Sequence, residues 1–356
     1  MDKRAFCDVR LLFEQTLIAE SDLIRLKARL SAVSLRMGFS PALTERARMV
    51  ASEMATNQGK YAGGRGLLQV WEVKIGDHWA LDLFALDHGP GINDLTSAVA
   101  DGYSTGGTLG KGLGGMKRLA HEFGLITRIA ASPELPWHGT ALWARFHSQD
   151  AGAGAGPGRF AAHWDLGLYR RSYQDARENG DGFVICTRSG LRVLHLDALG
   201  HGPLAADVVE AAIQGFDCTR PLRQALAELE LHPRMKRGAA ACCYEATDQG
   251  SLLWLGVGDM QACLLHGISR QTLGFGPGIL GQVHGRLHEA EWVWPEGGLV
   301  ASASDGFRSG WSQALALLTG SPPQLLAYFL GHVFGRLTDD RSCVIVRRGT
   351  GEDNGK

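Results

Sequence analysis

Glu53, Asn57 and Lys60 stand at i, i+4 and i+7, so a helix through them carries a carboxylate, an amide and an amine on one face. An amide oxygen is a suitable hard ligand for Mg²⁺, which sits between one or two protein oxygens and substrate phosphates. The carboxylate suits a general base. A solvated surface has the same composition. Farther along, Asp87-His88-Gly89-Pro90-Gly91-Ile92 directly follows a strand-like run. A carboxylate at that strand end can accept the exocyclic amine of adenine, and Gly89 and Gly91 let the backbone turn tightly against a flat base. An ordinary Pro-Gly turn has the same residues. Gly102–Gly115 then holds seven glycines in fourteen residues. Such a stretch exposes backbone N–H groups, and a helix N-terminus after it adds free donors and a positive dipole end. The result is a phosphate cradle to which Lys111 adds charge. No strand immediately precedes it, so it is neither a Walker A loop nor a dinucleotide fingerprint.

A second chemistry is carried by Asn179-Gly180-Asp181-Gly182, Leu196-Asp197-Ala198-Leu199-Gly200-His201-Gly202, Ser304-Asp305-Gly306 and Thr338-Asp339-Asp340. The first three flank strand-like runs beside glycine, and the fourth precedes the last run. Carboxylates gathered at strand ends make a hard oxygen site for Mg²⁺ or Mn²⁺. A pair of such ions lowers the pKa of a shared water, which can then attack phosphorus in line. His201 reads either as a phosphate contact or proton donor or as a turn residue, and Asp259 is equally open.

These residues need elements to hold them. Ser21-Asp22 caps a helix over 23–37 closed by Gly38, and Ser40-Pro41 starts another that runs to Tyr61. Strands are expected over 67–75 and 79–86, a short helix over 116–123, and strands over 126–130 and 141–146. Together they make an α/β unit whose mixed sheet has its helices on one face. After residue 158 the pattern gives strands over 183–187, 192–196, 240–246, 252–257, 262–266, 299–302 and 343–347. Helices fit 203–213, 222–231 and 323–337. That many strands imply two packed sheets flanked by helices. Between the parts, Asp150-Ala151-Gly152-Ala153-Gly154-Ala155-Gly156-Pro157-Gly158 reads as a flexible linker. The expected division is 1–149, linker 150–158, 159–350, and a disordered tail 351–356.

With 36 Lys and Arg against 37 Asp and Glu, the net charge of −1 argues against nucleic-acid binding. Seven cysteines without a C-x-x-C argue against a disulfide framework and for a reducing compartment. No run approaches the roughly 18 apolar residues of a membrane span, and charge interrupts the N-terminus too early for a signal peptide. A cytoplasmic protein without membrane attachment is expected.

The order and spacing of these motifs carry two resemblances. Residues 47–146 resemble the GHKL (HATPase) ATP-binding fold, and within it the RsbT-type serine kinases of bacterial partner switches. The likeness rests on Tyr61-Ala62-Gly63-Gly64, Asp87–Ile92, Asp101-Gly102-Tyr103-Ser104-Thr105-Gly106-Gly107 and Lys117-Arg118-Leu119-Ala120-His121-Glu122-Phe123. It implies Glu53 as base, Asn57 as Mg²⁺ ligand, Asp87 as adenine reader and Gly106–Gly112 as lid. The implied nucleotide-binding set is Asn57, Lys60, Asp87, Gly89, Gly91, Thr105, Gly106, Gly107, Gly110, Lys111, Gly112 and Leu113. Residues 160–349 resemble the SpoIIE/RsbX branch of PPM serine/threonine phosphatases. The carrying motifs are those around Asp181, Asp197, Asp305 and Asp339-Asp340, with Arg237-Gly238-Ala239-Ala240, Gly256-Val257-Gly258-Asp259 and Gly278-Ile279-Leu280-Gly281. By that likeness Asp197 bridges two metals, Asp305 and Asp339 complete the second, Asp181 holds a metal-bound water, and Ala198 supplies a backbone carbonyl where the family usually has glycine. The two resemblances together imply an α+β protein of two domains, a GHKL sandwich followed by a PPM αββα sandwich. They imply ATP, Mg²⁺ and Mn²⁺ as cofactors and STAS-domain proteins as partners. The implied chain is a bifunctional regulator of stress or sigma-factor signalling that phosphorylates and dephosphorylates serine or threonine. Two other readings are a phosphatase whose ATP domain only senses nucleotide or holds the partner, and a non-catalytic sequestering protein.

Overall fold

The computed structural model describes residues 7–16, 20–75, 78–95, 112–148, 159–161, 163–187, 190–282 and 285–350. The glycine-rich stretch from Thr105 to Lys111, the linker 150–158 and the tail 351–356 lie outside them. The chain divides into two compact α+β units. Val9–Lys74 and His78–Pro157 form one, and Gly158–Lys356, with Met1–Asp8 and Ile75–Asp77, form the other.

The first contains β1 (Cys7–Thr16), α1 (Glu20–Arg36), α2 (Pro41–Ala62), β2 (Gly66–Ile75), β3 (His78–Asp87), α3 (Leu113–Leu119), β4 (Glu122–Arg128) and β5 (Gly139–His147). Its sheet runs β1-β2-β3-β5-β4, with β5 antiparallel to both β3 and β4. Leu26 and Leu30 of α1, Ala47, Val50, Ala51 and Met54 of α2, and Leu113 and Met116 of α3 share one core with Leu68, Val70, Leu81, Leu83, Leu142 and Ala144. The strand residues of that core alternate along the chain, so they come from one sheet face. α2 begins where Ser40 Oγ accepts the Leu43 N–H at 3.2 Å, with Pro41 at the first turn, and ends at left-handed Gly63.

Three local expectations need correction. β1 was not expected, because Asp8, Arg10 and Glu14 break its apolar pattern; Cys7, Val9 and Phe13 are nevertheless buried on one side. α1 begins at Glu20, so Ser21 and Asp22 lie in its first turn, where Asp22 pairs with Arg25 instead of capping. α3 starts at Leu113 and ends at Leu119, since Ala120 turns extended and Phe123 already pairs with Ala144 in the sheet.

The second unit contains β6 (Arg159–Ala161), β7 (Trp164–Arg171), β8 (Asp181–Cys186), β9 (Leu191–Ala198), α4 (Pro203–Gly215), α5 (Leu222–Glu230), β10 (Ala239–Ala246), β11 (Ser251–Val257), β12 (Gln261–His266), β13 (Ser269–Thr272), β14 (His288–Val293), β15 (Leu299–Ala303), α6 (Trp311–Ala316), α7 (Pro323–Val333) and β16 (Arg341–Arg348). Two sheets form, in the orders β14-β11-β10-β9-β8 and β13-β12-β15-β16-β7-β6. α4 and α5 share a core with the first of them through Val208, Val209, Leu222 and Leu226. α7 packs on β7 and β16 of the second. The unit is thus a sandwich of helices, sheet, sheet and helices. β13 and most of β14 are exposed edge strands without the apolar alternation that marks a covered one, which is why they were missed. Cys186 and Cys218 are joined in a disulfide within the core under α4 and α5, a pairing the cysteine pattern did not point to; Cys7, Cys242, Cys243, Cys263 and Cys343 are buried thiols outside it. No helix among the described residues is long and apolar enough to cross a membrane.

Candidate functional site

In the first unit, α2 carries the expected face. Glu53 and Asn57 are half-buried and Lys60 is exposed, its ammonium 4.9 Å from the centre of the Tyr61 ring. Glu53 opens on a cavity of about 200 Å³ shared with Met49 and with Gly115, Met116, Arg118 and Leu119 of α3. Arg46 Nε donates to Leu119 O at 2.7 Å and ties the two helices. Leu113 is buried in the core, and Gly112 stands at the N-cap of α3. The other members of the glycine-rich set, Thr105, Gly106, Gly107, Gly110 and Lys111, fall outside the described residues.

At the far end of α2, Gly89 packs against the Tyr61 carbonyl and the Ala62 methyl. From Glu53 to Tyr61 a helix rises about 12 Å, a span suited to separating the terminal phosphate of a nucleotide from its base. Asp87 closes β3 there. Its Oδ1 accepts the Gly89 N–H at 2.8 Å and the Thr140 N–H at 3.1 Å, while Oδ2 has no hydrogen-bond partner among the described residues. Burial raises its pKa despite those two bonds. Gly91 is left-handed, and a Cβ on it would collide with the Arg128 carbonyl. Residues that sequence reasoning missed complete this turn. Thr127 Oγ1 accepts the Ile92 N–H at 2.8 Å, Trp137 Nε1 donates to Asp87 O at 3.0 Å, and His138 Nδ1 lies 2.9 Å from Gly89 O. They come from β4 and the segment before β5, and only strand pairing brings them here. Gln58 was also missed; its buried amide donates to Leu67 O at 2.8 Å and Leu86 O at 3.2 Å, fixing α2 over β2 and β3.

In the second unit the acidic residues meet. Asp181 opens β8 directly opposite Asp197 on β9. Asp197 Oδ2 accepts the Asp305 N–H at 3.2 Å. Burial, then the charges of Asp181, Asp305 and Asp259, pushes Asp197 well above the usual carboxylate range. Asp181 rises through burial and the charges of Asp340 and Asp305, and Asp305 through burial, Asp339 and Asp259. Each of Asp181, Asp197, Asp305 and Asp339, and also Asp259, which the sequence left open, thus lies near enough to at least one other to be coupled to it by charge. Ala198 donates its N–H to Gly180 O at 2.9 Å and buries its methyl in the core. Gly306 has no room for a side chain, since a Cβ would collide with the Asp340 carbonyl. His201 is exposed, its ring 5.0 Å from that of Tyr173.

Asp340 is different. Its two oxygens accept the Tyr173 and Gly180 N–H groups, each at 2.6 Å, and so hold the loop that ends in Asp181. Sequence reasoning also missed the partners of Asp181, whose Oδ2 accepts from Ser342 Oγ at 2.8 Å. Ser342 in turn meets His195, which burial keeps neutral by lowering its pKa to about 3. Among the described residues no three acidic, histidine or cysteine side chains converge on one ready-made cation position. The donors nevertheless suit a hard divalent ion. They are all carboxylate oxygens, they repel one another, and Asp181 Oδ1 is buried without a hydrogen-bond partner.

No family model matches the chain. Among solved structures, one from work on the bacterial stressosome as a modular system adapted to control secondary messenger signalling has 27% identity and a TM-score of 0.48, covering 52% of this chain and 99% of that one. RsbX in complex with magnesium has 18% identity and a TM-score of 0.47 over 53% and 97%. The serine/threonine phosphatase PstP of Mycobacterium tuberculosis has 13% and 0.43 over 53% and 100%. The serine/threonine-protein kinase RsbT of Bacillus subtilis is 37% identical over 127 residues, 36% of this chain and 90% of that kinase. Through its N-terminal region, which spans nearly all of that kinase, the chain belongs to the RsbT family of serine/threonine-protein kinases.

Proposed function

We propose that the chain is a two-way regulator of a bacterial partner switch, which phosphorylates STAS-domain proteins on serine or threonine with ATP and hydrolyses the same phosphate. Residues 1–149 carry the kinase activity and residues 159–350 the phosphatase activity, and both work in the cytoplasm. One observation supports this most: a single chain joins an RsbT-family region to a set of electrostatically coupled carboxylates drawn from four separate strand ends.

In the kinase part, Asp87 accepts the adenine amine through Oδ2, Asn57 holds Mg²⁺ against the phosphates, and Lys60 adds charge beside them. Glu53, on its cavity, takes the proton of the acceptor hydroxyl. Gly106–Gly112, of which only Gly112 is among the described residues, is the lid in this reading. In the phosphatase part, Asp181, Asp197, Asp305, Asp339 and the Ala198 carbonyl are the groups that would hold a pair of Mg²⁺ or Mn²⁺ ions. Bound there, such ions supply Lewis-acid stabilisation of the phosphoryl oxygens and a water acidic enough to attack phosphorus. Asp340 keeps the Asp181 loop in place.

The test uses the full chain with ATP, Mg²⁺, Mn²⁺ and a purified STAS protein from a partner switch. Asp305→Asn should accumulate phosphorylated partner, and Glu53→Ala should form none while still removing phosphate from partner labelled beforehand. No phosphorylation by the Asp305→Asn chain overturns the kinase half. Dephosphorylation that survives both Asp305→Asn and a chelator overturns the phosphatase half.

A further inference from the structure

Between the two sheets of the second unit one set of polar side chains is continuous. His195, on β9, is fully buried and reaches the opposite sheet with both ring nitrogens. Nδ1 lies 2.8 Å from Ser302 Oγ on β15, and Nε2 lies 2.7 Å from Ser342 Oγ on β16. Ser342 Oγ is 2.8 Å from Asp181 Oδ2.

Proton counting sets the direction of every bond. The Ser342 hydroxyl donates to Asp181 Oδ2 and so spends its one proton there. Toward His195 that hydroxyl must then accept, and Nε2 carries the N–H. A neutral imidazole protonated at Nε2 has its lone pair at Nδ1, so Ser302 donates to it. The whole chain of donors points at Asp181 Oδ2. Its other oxygen, Oδ1, is left buried with no hydrogen-bond partner.

We infer that His195 is a positioning residue of the proposed metal centre, which locks the Ser342 hydroxyl onto Asp181 Oδ2 and so keeps Oδ1 turned out as the free acceptor. Without the Nε2 donor, Ser342 Oγ has a free rotor and an unfilled lone pair, and Asp181 loses its fixed orientation. The inference rests on the phosphatase reading, because it gives Asp181 a cation or its water to serve.

Mn²⁺ titration calorimetry of the full chain tests it, with thermal unfolding alongside. His195→Leu and Ser342→Ala should each weaken Mn²⁺ binding roughly tenfold, the scale of losses when a ligand's hydrogen-bond partner is removed. The double variant should bind no more weakly than Ser342→Ala alone, because both changes cut the same chain. His195→Gln, whose amide keeps one donor and one acceptor, should recover most of the loss. The inference is overturned if His195→Leu binds as wild type, if the two losses add in the double variant, or if Gln is as weak as Leu. Should His195→Leu fail to fold, His195→Gln against Ser342→Ala decides: near-normal binding by the first and weak binding by the second support the inference, and equal weakness overturns it. A wild-type chain that binds no Mn²⁺ instead brings down the metal reading itself, a separate and recognisable result.

Discussion

Asp339 and Asp340 are neighbours with the same side chain, and the fold divides their work. Asp339 raises the pKa of Asp305 by its charge, whereas Asp340 is buried and spends both oxygens on backbone N–H groups. Asp340→Asn should therefore cost about 1–3 kcal/mol of folding stability, the scale of losing a charged acceptor from buried donors. Asp339→Asn should leave stability nearly unchanged and weaken Mn²⁺ binding. Denaturant titration and calorimetry on the two variants separate the roles. In the first unit, Asp87→Ala should weaken ADP–Mg²⁺ binding about tenfold to a hundredfold, from loss of a charged hydrogen bond, as read by calorimetry. The sequence offered both aspartates at 339–340 as one motif. It could not divide them, because which one meets Tyr173 and Gly180 depends on a segment about 160 residues away. His195, Ser302 and Ser342 were invisible for a similar reason, since a lone histidine in an apolar strand has no local signature.

The element scale is where sequence pattern worked best and where its failures have one cause. α2 was legible at both ends because Ser40-Pro41 and Gly63 act locally. β8, β9, β10 and β16 were legible because both faces are covered. β1, β7, β13 and β14 were not, since charged or polar residues or a glycine interrupt each of them. The same elements hold a buried ion pair that no spacing announces. Arg145 on β5 grips Asp82 on β3 through Nε and Nη2 at 2.7 and 2.8 Å, with both side chains almost fully buried. Asp82→Ala leaves a guanidinium short of its partner there and should destabilise the chain by about 3–5 kcal/mol, as measured by denaturant unfolding. Beside it, Glu122 is subject to burial, which raises its pKa, but Arg145, the His147 hydrogen bond and His121 outweigh this and hold the carboxyl below its usual 4.5. A depressed carboxylate contributes stability above the unfolded value that is lost as pH falls through the folded one. Stability should thus decline below pH 4.5, and Glu122→Gln should flatten that decline in unfolding midpoints followed down the acid range.

At the scale of the whole molecule, the proposed reading puts opposing chemistries on one chain and makes the steady phosphorylation of a partner a ratio of two rates. Asp87→Ala and Asp305→Asn should shift that ratio in opposite directions, each leaving the other site's ligand titration intact. The order of strands adds something further. β16 lies in the middle of its sheet, between β15 and β7, and Asp339 stands two residues before it. The acidic set is therefore completed by a residue late in this sequence, while every residue assigned to nucleotide lies in the first third of it. On the proposed reading, a chain that lacks the segment from Asp339 onward keeps the writer and loses the eraser, and partner proteins in such a cell should drift toward the fully marked state.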